Sequence, residues 1–162
     1  MDSFYELFSF DWKLALLDFL RVATAFALAV PIGWERHESK RSLGLRTFPI
    51  VAMAACGFML ILKAVPGASA ETHARLVQGL ISGIGFIGGG AILKEGANVR
   101  GLATASSIWC TGAIGAAVAF GRVEIAVVLS VITFLTLRLL TPVVEDDGYD
   151  SGKKAQDEKP AH

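Results

Sequence analysis

The sequence predicts an all-α integral membrane bundle of about five transmembrane helices, with its N-terminus outside and its C-terminus in the cytoplasm. Three observations carry that prediction. Apolar residues make up 53% of the 162-residue chain and mean hydropathy is +0.54, yet the last 20 or so residues are strongly polar, so the rest is more apolar than the mean. Five stretches approach the roughly 20 residues that a helix needs to cross the hydrocarbon core. Finally, Lys and Arg are distributed unevenly between the links that join those stretches.

The spans read as Leu14–Trp34, Leu45–Val65, Ala74–Leu93, Leu102–Phe120 and Val123–Thr141. Asp18 and Arg21 interrupt the first, and glycines punctuate the third and fourth. Pro49 predicts a kink near the start of the second. A soluble bundle does not fit, because five long apolar segments could not all be buried in so small a domain. Residues 1–141 are read as the transmembrane domain. Residues 142–162 are read as a polar cytoplasmic tail with too little apolar surface to order itself.

Orientation follows from the cations. With five spans, Arg36, Lys40, Arg41, Arg46, Lys94, Arg100, Arg138, Lys153, Lys154 and Lys159 fall on one side. Lys13, Lys63, Arg75 and Arg122 fall on the other, and Arg21 is left inside the membrane. The richer side is cytoplasmic. Asp2, Glu6 and Asp11 precede Lys13, so the chain does not open with the positive segment of a cleaved signal peptide. Lys+Arg and Asp+Glu both number 15, and no basic field points to nucleic acid.

Several residues could carry chemistry. Gly83, Gly85 and Gly88 spell a dinucleotide-binding fingerprint, but the strand–turn–helix context and the downstream acid are missing. Two membrane readings remain open. Gly79 with Gly83, and Gly85 with Gly89, form small-xxx-small pairs that let helices approach closely. Gly88, Gly89 and Gly90 in succession could instead end or break the helix, freeing backbone groups to line a polar cavity. Asp18 and Arg21 share one helical face inside the first span, as a structural pair or a functional one. Glu35, Arg36, Arg46, Thr47, Asn98, Arg100 and Thr104 converge, on this topology, at the cytoplasmic face as a candidate polar cluster. Asn98 and Arg100 bind something there or only cap the fourth helix.

His37, His73 and His162 are scattered, and membrane-proximal carboxylates are few, so no metal site or cofactor is expected. No nucleophile–base arrangement points to an enzyme. Cys56 and Cys110 lie in apolar stretches and read as buried structural thiols.

The blocks Pro31-Ile-Gly-Trp-Glu-Arg36, Gly44-Leu-Arg-Thr47, Gln78-Gly79, Gly83-Ile-Gly-Phe-Ile-Gly88, Asn98-Val-Arg-Gly-Leu-Ala-Thr-Ala-Ser-Ser-Ile-Trp-Cys110 and Gly112-Ala-Ile-Gly115 resemble, in order and spacing, the MgtC/SapB family of bacterial inner-membrane proteins. The resemblance covers most of residues 14–141. It implies a multi-pass protein of the bacterial inner membrane with about five spans. Such proteins are linked to growth at low magnesium, acid tolerance and virulence. It implies that Asn98 matches a position tied to function and that Cys110 matches a family cysteine. Expected partners are the lipid bilayer, other membrane proteins such as the ATP synthase, and a second copy of the chain in a homo-oligomer such as a dimer. The chain resembles the shorter, SapB-like form, because a polar tail stands where the best-known members carry an ACT-like domain. The resulting reading is a non-enzymatic regulator of ion or energy homeostasis. The alternative is an oligomeric transporter or channel for Mg2+ or another small solute.

Overall fold

The computed structural model describes residues 11–38, 44–67, 69–95 and 98–157. Within them the chain forms five helices and one short hairpin. The order is α1 (Trp12–Glu38), α2 (Thr47–Ala64), α3 (Ala70–Gly90), β1 (Leu93–Glu95), β2 (Asn98–Arg100), α4 (Leu102–Ala119) and α5 (Val123–Asp157). Consecutive helices alternate in direction. The C-terminal end of α1 meets α5 near its middle through Glu35 and Arg138. The C-terminal ends of α2 and α4 meet through Lys63 and the Ala119 carbonyl. The last turns of α3 meet the first turns of α4 through Gly88 and Ala105.

Local chemistry sets the boundaries. The Asp11 carboxylate accepts from the Lys13 and Leu14 amides and starts α1. The Ser69 hydroxyl accepts from the Thr72 amide and starts α3, with Glu71 in its positive first turn. A tight turn with Gly121 at φ +75° separates α4 from α5. Its amides return to the end of α4, Gly121 to Val118 and Arg122 to Ala117, as in a glycine-terminated helix. Pro49 is the third residue of α2. Its missing N–H falls among the first-turn amides that have no intrahelical acceptor, so the expected kink has no cause there.

Helix α4 is the centre. It packs against α1, α2, α3 and α5, and half of its residues are buried. Gly112 and Gly115 make this possible. A Cβ on Gly112 would lie 2.2 Å from Ile84 Cδ1, and one on Gly115 would lie 2.1 Å from the Ala52 carbonyl oxygen. The core around them is built from Ile32, Phe48, Met59, Ile108, Ile114 and Val118.

Helices α1, α2, α4 and α5 each contain a segment long and apolar enough to cross a membrane. Helix α3 has the length but is more polar, and only Ile84 and Gly88 of its 21 residues are buried. It stands at the rim, leaving an apolar groove of about 740 Å³ between itself and α2.

Two regions named in the sequence take a definite form. Gly88–Gly90 do not break a helix within the span but end one: they form the last turn of α3, which stops at Gly90 with Ala91 as its C-cap. Helix α5 runs to Asp157, past Thr141, where the fifth span was expected to end. A chain that continues an existing helix escapes the nucleation cost that keeps short isolated helices unfolded. Residues 158–162 lie outside the described residues.

Candidate functional site

The polar cluster expected from the sequence is placed at one end of the bundle, where α1 ends, α2 and α4 begin, and the hairpin closes off α3. Close backbone contacts shape this end. A Cβ on Gly33 would meet the Gly44 carbonyl oxygen at 3.1 Å, so the chain entering α2 folds back against α1. The antiparallel hairpin pairs Leu93 with Arg100, Lys94 with Val99 and Glu95 with Asn98. Gly101 then turns at φ +90°, and a Cβ there would stand 2.0 Å from the Ala91 carbonyl oxygen. Only glycine accepts both the left-handed turn and that approach.

Glu35 and Arg36 are both buried, at 8% and 1% exposure. Arg138 donates from Nη1 to Glu35 Oε2 at 3.2 Å, while most of the Arg138 side chain stays exposed. The pair neutralises an acid that the negative C-terminal end of α1 would otherwise disfavour. Arg36, in the last turn of the same helix, is favoured by that end. On α4, Thr104, Ser107 and Thr111 are buried on one face. Ser107 and Thr111 donate to the Ala103 and Ser107 carbonyls at 2.6 and 2.7 Å, so their hydroxyl protons are satisfied within the helix.

Arg46 precedes α2 without a side-chain cap, and Thr47 is its half-buried first residue. Arg100 is exposed on β2. Asn98 also lies on β2, three residues before the position that opens α4, which Gly101 occupies without a side-chain cap. Among the described residues, no three His, Cys, Asp or Glu side chains gather into a group able to hold a metal ion.

Elsewhere, Asp18 and Arg21 form an ion pair, Nη1 to Oδ1 at 3.1 Å. Cys56 is buried and Cys110 half-buried. The small-xxx-small glycines do not pack as expected within the protomer. A Cβ on Gly79, Gly83, Gly85, Gly89 or Gly90 would meet nothing within 4 Å, whereas Gly88 lies against the Ala105 carbonyl. Helix α3 touches the bundle along one narrow line, and only glycines on that line can serve close packing. The packing glycines that sequence reasoning left unassigned are Gly33, Gly112 and Gly115. It also missed Arg138 as the partner of Glu35, because 103 residues separate them.

Comparison with known proteins places this geometry. The MgtC family profile matches residues 22–145. Protein MgtC of Brucella abortus is 42% identical over 124 residues, covering 76% of this chain and 51% of the relative. An uncharacterized protein of Synechocystis is 37% identical over 133 residues, covering 82% and 55%. Protein MgtC of Salmonella typhimurium is 38% identical over 113 residues, covering 70% and 48%. The chain thus spans about half the length of these curated relatives. No solved structure matches it. With the profile match extending from the middle of α1 into α5 across the whole polar end, and with four apolar helices around it, the chain is a multi-pass membrane protein that belongs to the MgtC family.

Proposed function

We propose that the protein is a non-enzymatic regulator in the bacterial inner membrane. It adjusts ion or energy balance during adaptation to low magnesium or acid stress, with a role in virulence, by engaging another membrane protein such as the ATP synthase. One observation carries this reading. The blocks Gly33–Arg36, Gly44–Thr47 and Asn98–Gly101, far apart in sequence, come to one end of the bundle around the buried Arg36 and the Glu35–Arg138 pair. A surface assembled from a helix end and two links is suited to recognising a partner.

The proposed orientation puts this end in the cytoplasm. Counted along the sequence with five spans, ten of the fifteen Lys and Arg residues fall in the segments on that side, and cytoplasmic segments hold the excess. Helix α3 serves as the fifth span in this arrangement, since it carries the chain back between links on opposite sides.

The test is co-purification from membranes of cells grown with scarce and with ample magnesium, comparing the wild-type chain with Asn98→Ala. A membrane partner retained by the wild type at low magnesium and lost by the variant supports regulation. No partner under either condition counts against it.

The second reading, an oligomeric transporter or channel, is favoured by Asp18 and Arg21 lying inside the first span. Magnesium flux into liposomes that is lost in Arg21→Ala would support it. Flux no greater than in empty liposomes would leave magnesium transport without support.

A further inference from the structure

Helix α1 is packed unevenly along its length. Between Trp12 and Thr24 no residue is buried, whereas Ala25, Ala29, Ile32 and Gly33 in its second half seat it on the bundle. Leu14, Leu17, Phe19 and Leu20 are exposed on the free half. Asp18 and Arg21 lie within it, six and nine residues from Trp12. At 1.5 Å per residue these are depths of about 9 and 14 Å along the helix, too far for either group to escape readily to an interface.

Their side chains are 47% and 39% exposed. Among the described residues they make one hydrogen bond, from Arg21 Nη1 to Asp18 Oδ1 at 3.1 Å. A guanidinium offers five donors and a carboxylate about four acceptor positions, so most of the polar capacity of this pair is left over, on a part of the Ala25–Ala29–Ile32 face that the bundle only half covers. Charges at such depth ordinarily face a protein partner or a water-filled cavity, not lipid.

Arg21 reaches back one turn toward Asp18, so both charged groups sit at nearly the same depth. The pair is then a dipole lying roughly in the membrane plane. A twofold axis along the membrane normal, the symmetry of a parallel dimer, reverses such a dipole without changing its depth. Each carboxylate would then oppose the guanidinium of the other copy, giving four alternating charges. A second copy is the partner whose opposite charges necessarily stand at the matching depth.

We propose that the free half of α1 is a self-association surface, on which two copies of this chain pair through reciprocal contacts between Asp18 and Arg21. This inference rests on α1 crossing a bilayer and not on the regulatory or transport reading, so it stands or falls separately from either.

The experiment measures association of the full chain in lipid bilayers by energy transfer between donor- and acceptor-labelled copies. The wild type should associate. Asp18→Arg alone and Arg21→Asp alone should each weaken association by more than about tenfold, since like charges then meet. An equimolar mixture of the two variants should recover it, and so should a chain carrying both substitutions. A wild type that stays monomeric overturns the proposal, as do variants that associate like the wild type. Loss in each variant without recovery in the mixture also overturns it, because the pair would then serve only its own chain. If a reversed charge prevents insertion, the neutral chain with Asp18→Asn and Arg21→Gln decides. It should keep its helical content and lose association, and unchanged association overturns the proposal.

Discussion

Arg138 Nη1 lies 3.2 Å from Glu35 Oε2, joining the end of the first span to the last across 103 residues. Glu35 is nearly buried while Arg138 is largely exposed. Arg138→Ala therefore removes one cation from a shielded carboxylate, and the loss should be about 1–2 kcal/mol, below the value for a fully buried pair because solvent screens the arginine. Glu35→Gln should cost less. Thermal unfolding of both single variants and the double variant, closed as a cycle, checks this.

The glycines divide into two classes. Gly115→Ala should destabilise by about 1–3 kcal/mol, because its Cβ would meet the immovable Ala52 carbonyl and push α2 away from α4. Gly79→Ala and Gly83→Ala should be neutral or stabilising by up to ~1 kcal/mol each, because α3 gains helix propensity where the protomer leaves open space. The order of the three unfolding temperatures decides the matter.

At Gly101, alanine faces both a left-handed backbone and the Ala91 carbonyl. Gly101→Ala should therefore lower the yield of folded protein more than any substitution at Asn98. Size-exclusion profiles of the two solubilised variants provide the comparison.

Asn98→Ala should separate function from folding. Gly101, not Asn98, opens α4, so stability should stay within about 0.5 kcal/mol of wild type. Growth at low magnesium should fail to be restored by this variant in a strain lacking the protein. A stable variant that restores growth fully would remove Asn98 from the functional surface.

The topology has its own check. In a chain with Cys56→Ala and Cys110→Ala, a membrane-impermeant thiol reagent applied to intact cells should label Ser69→Cys. It should spare Val99→Cys until the membrane is opened, because the two positions lie at opposite ends of α3.

Much of this was legible in the sequence, for identifiable reasons. The four apolar spans announce themselves because lipid demands a continuous run, and their limits fall within a few residues of the helices. The start of α3 is earlier than the apolar pattern implies, since Ser69, Glu71 and Thr72 form a polar first turn. The hairpin escaped because three-residue strands carrying Lys94, Glu95 and Arg100 have no readable alternation. Glycine roles were ambiguous because Gly79 and Gly83 have the same four-residue spacing as Gly85 and Gly89, and whether a helix faces them is a tertiary fact. The gathering of Glu35, Asn98 and Thr104 at one end followed from counting spans. The pairing of Glu35 with Arg138 did not, because nothing local encodes it.

The central position of α4 bears on how the chain is made. Synthesis runs from the N-terminus, so α1, α2 and α3 leave the ribosome before the helix on which each of them packs. The first two can pair with one another, but α3 has little to hold until α4 arrives, directly after the hairpin. The last helix then follows through a turn of a few residues. Assembly is therefore deferred to the final third of translation. A chain interrupted before Leu102 would leave its early helices in the bilayer without a centre, a natural target for membrane quality control.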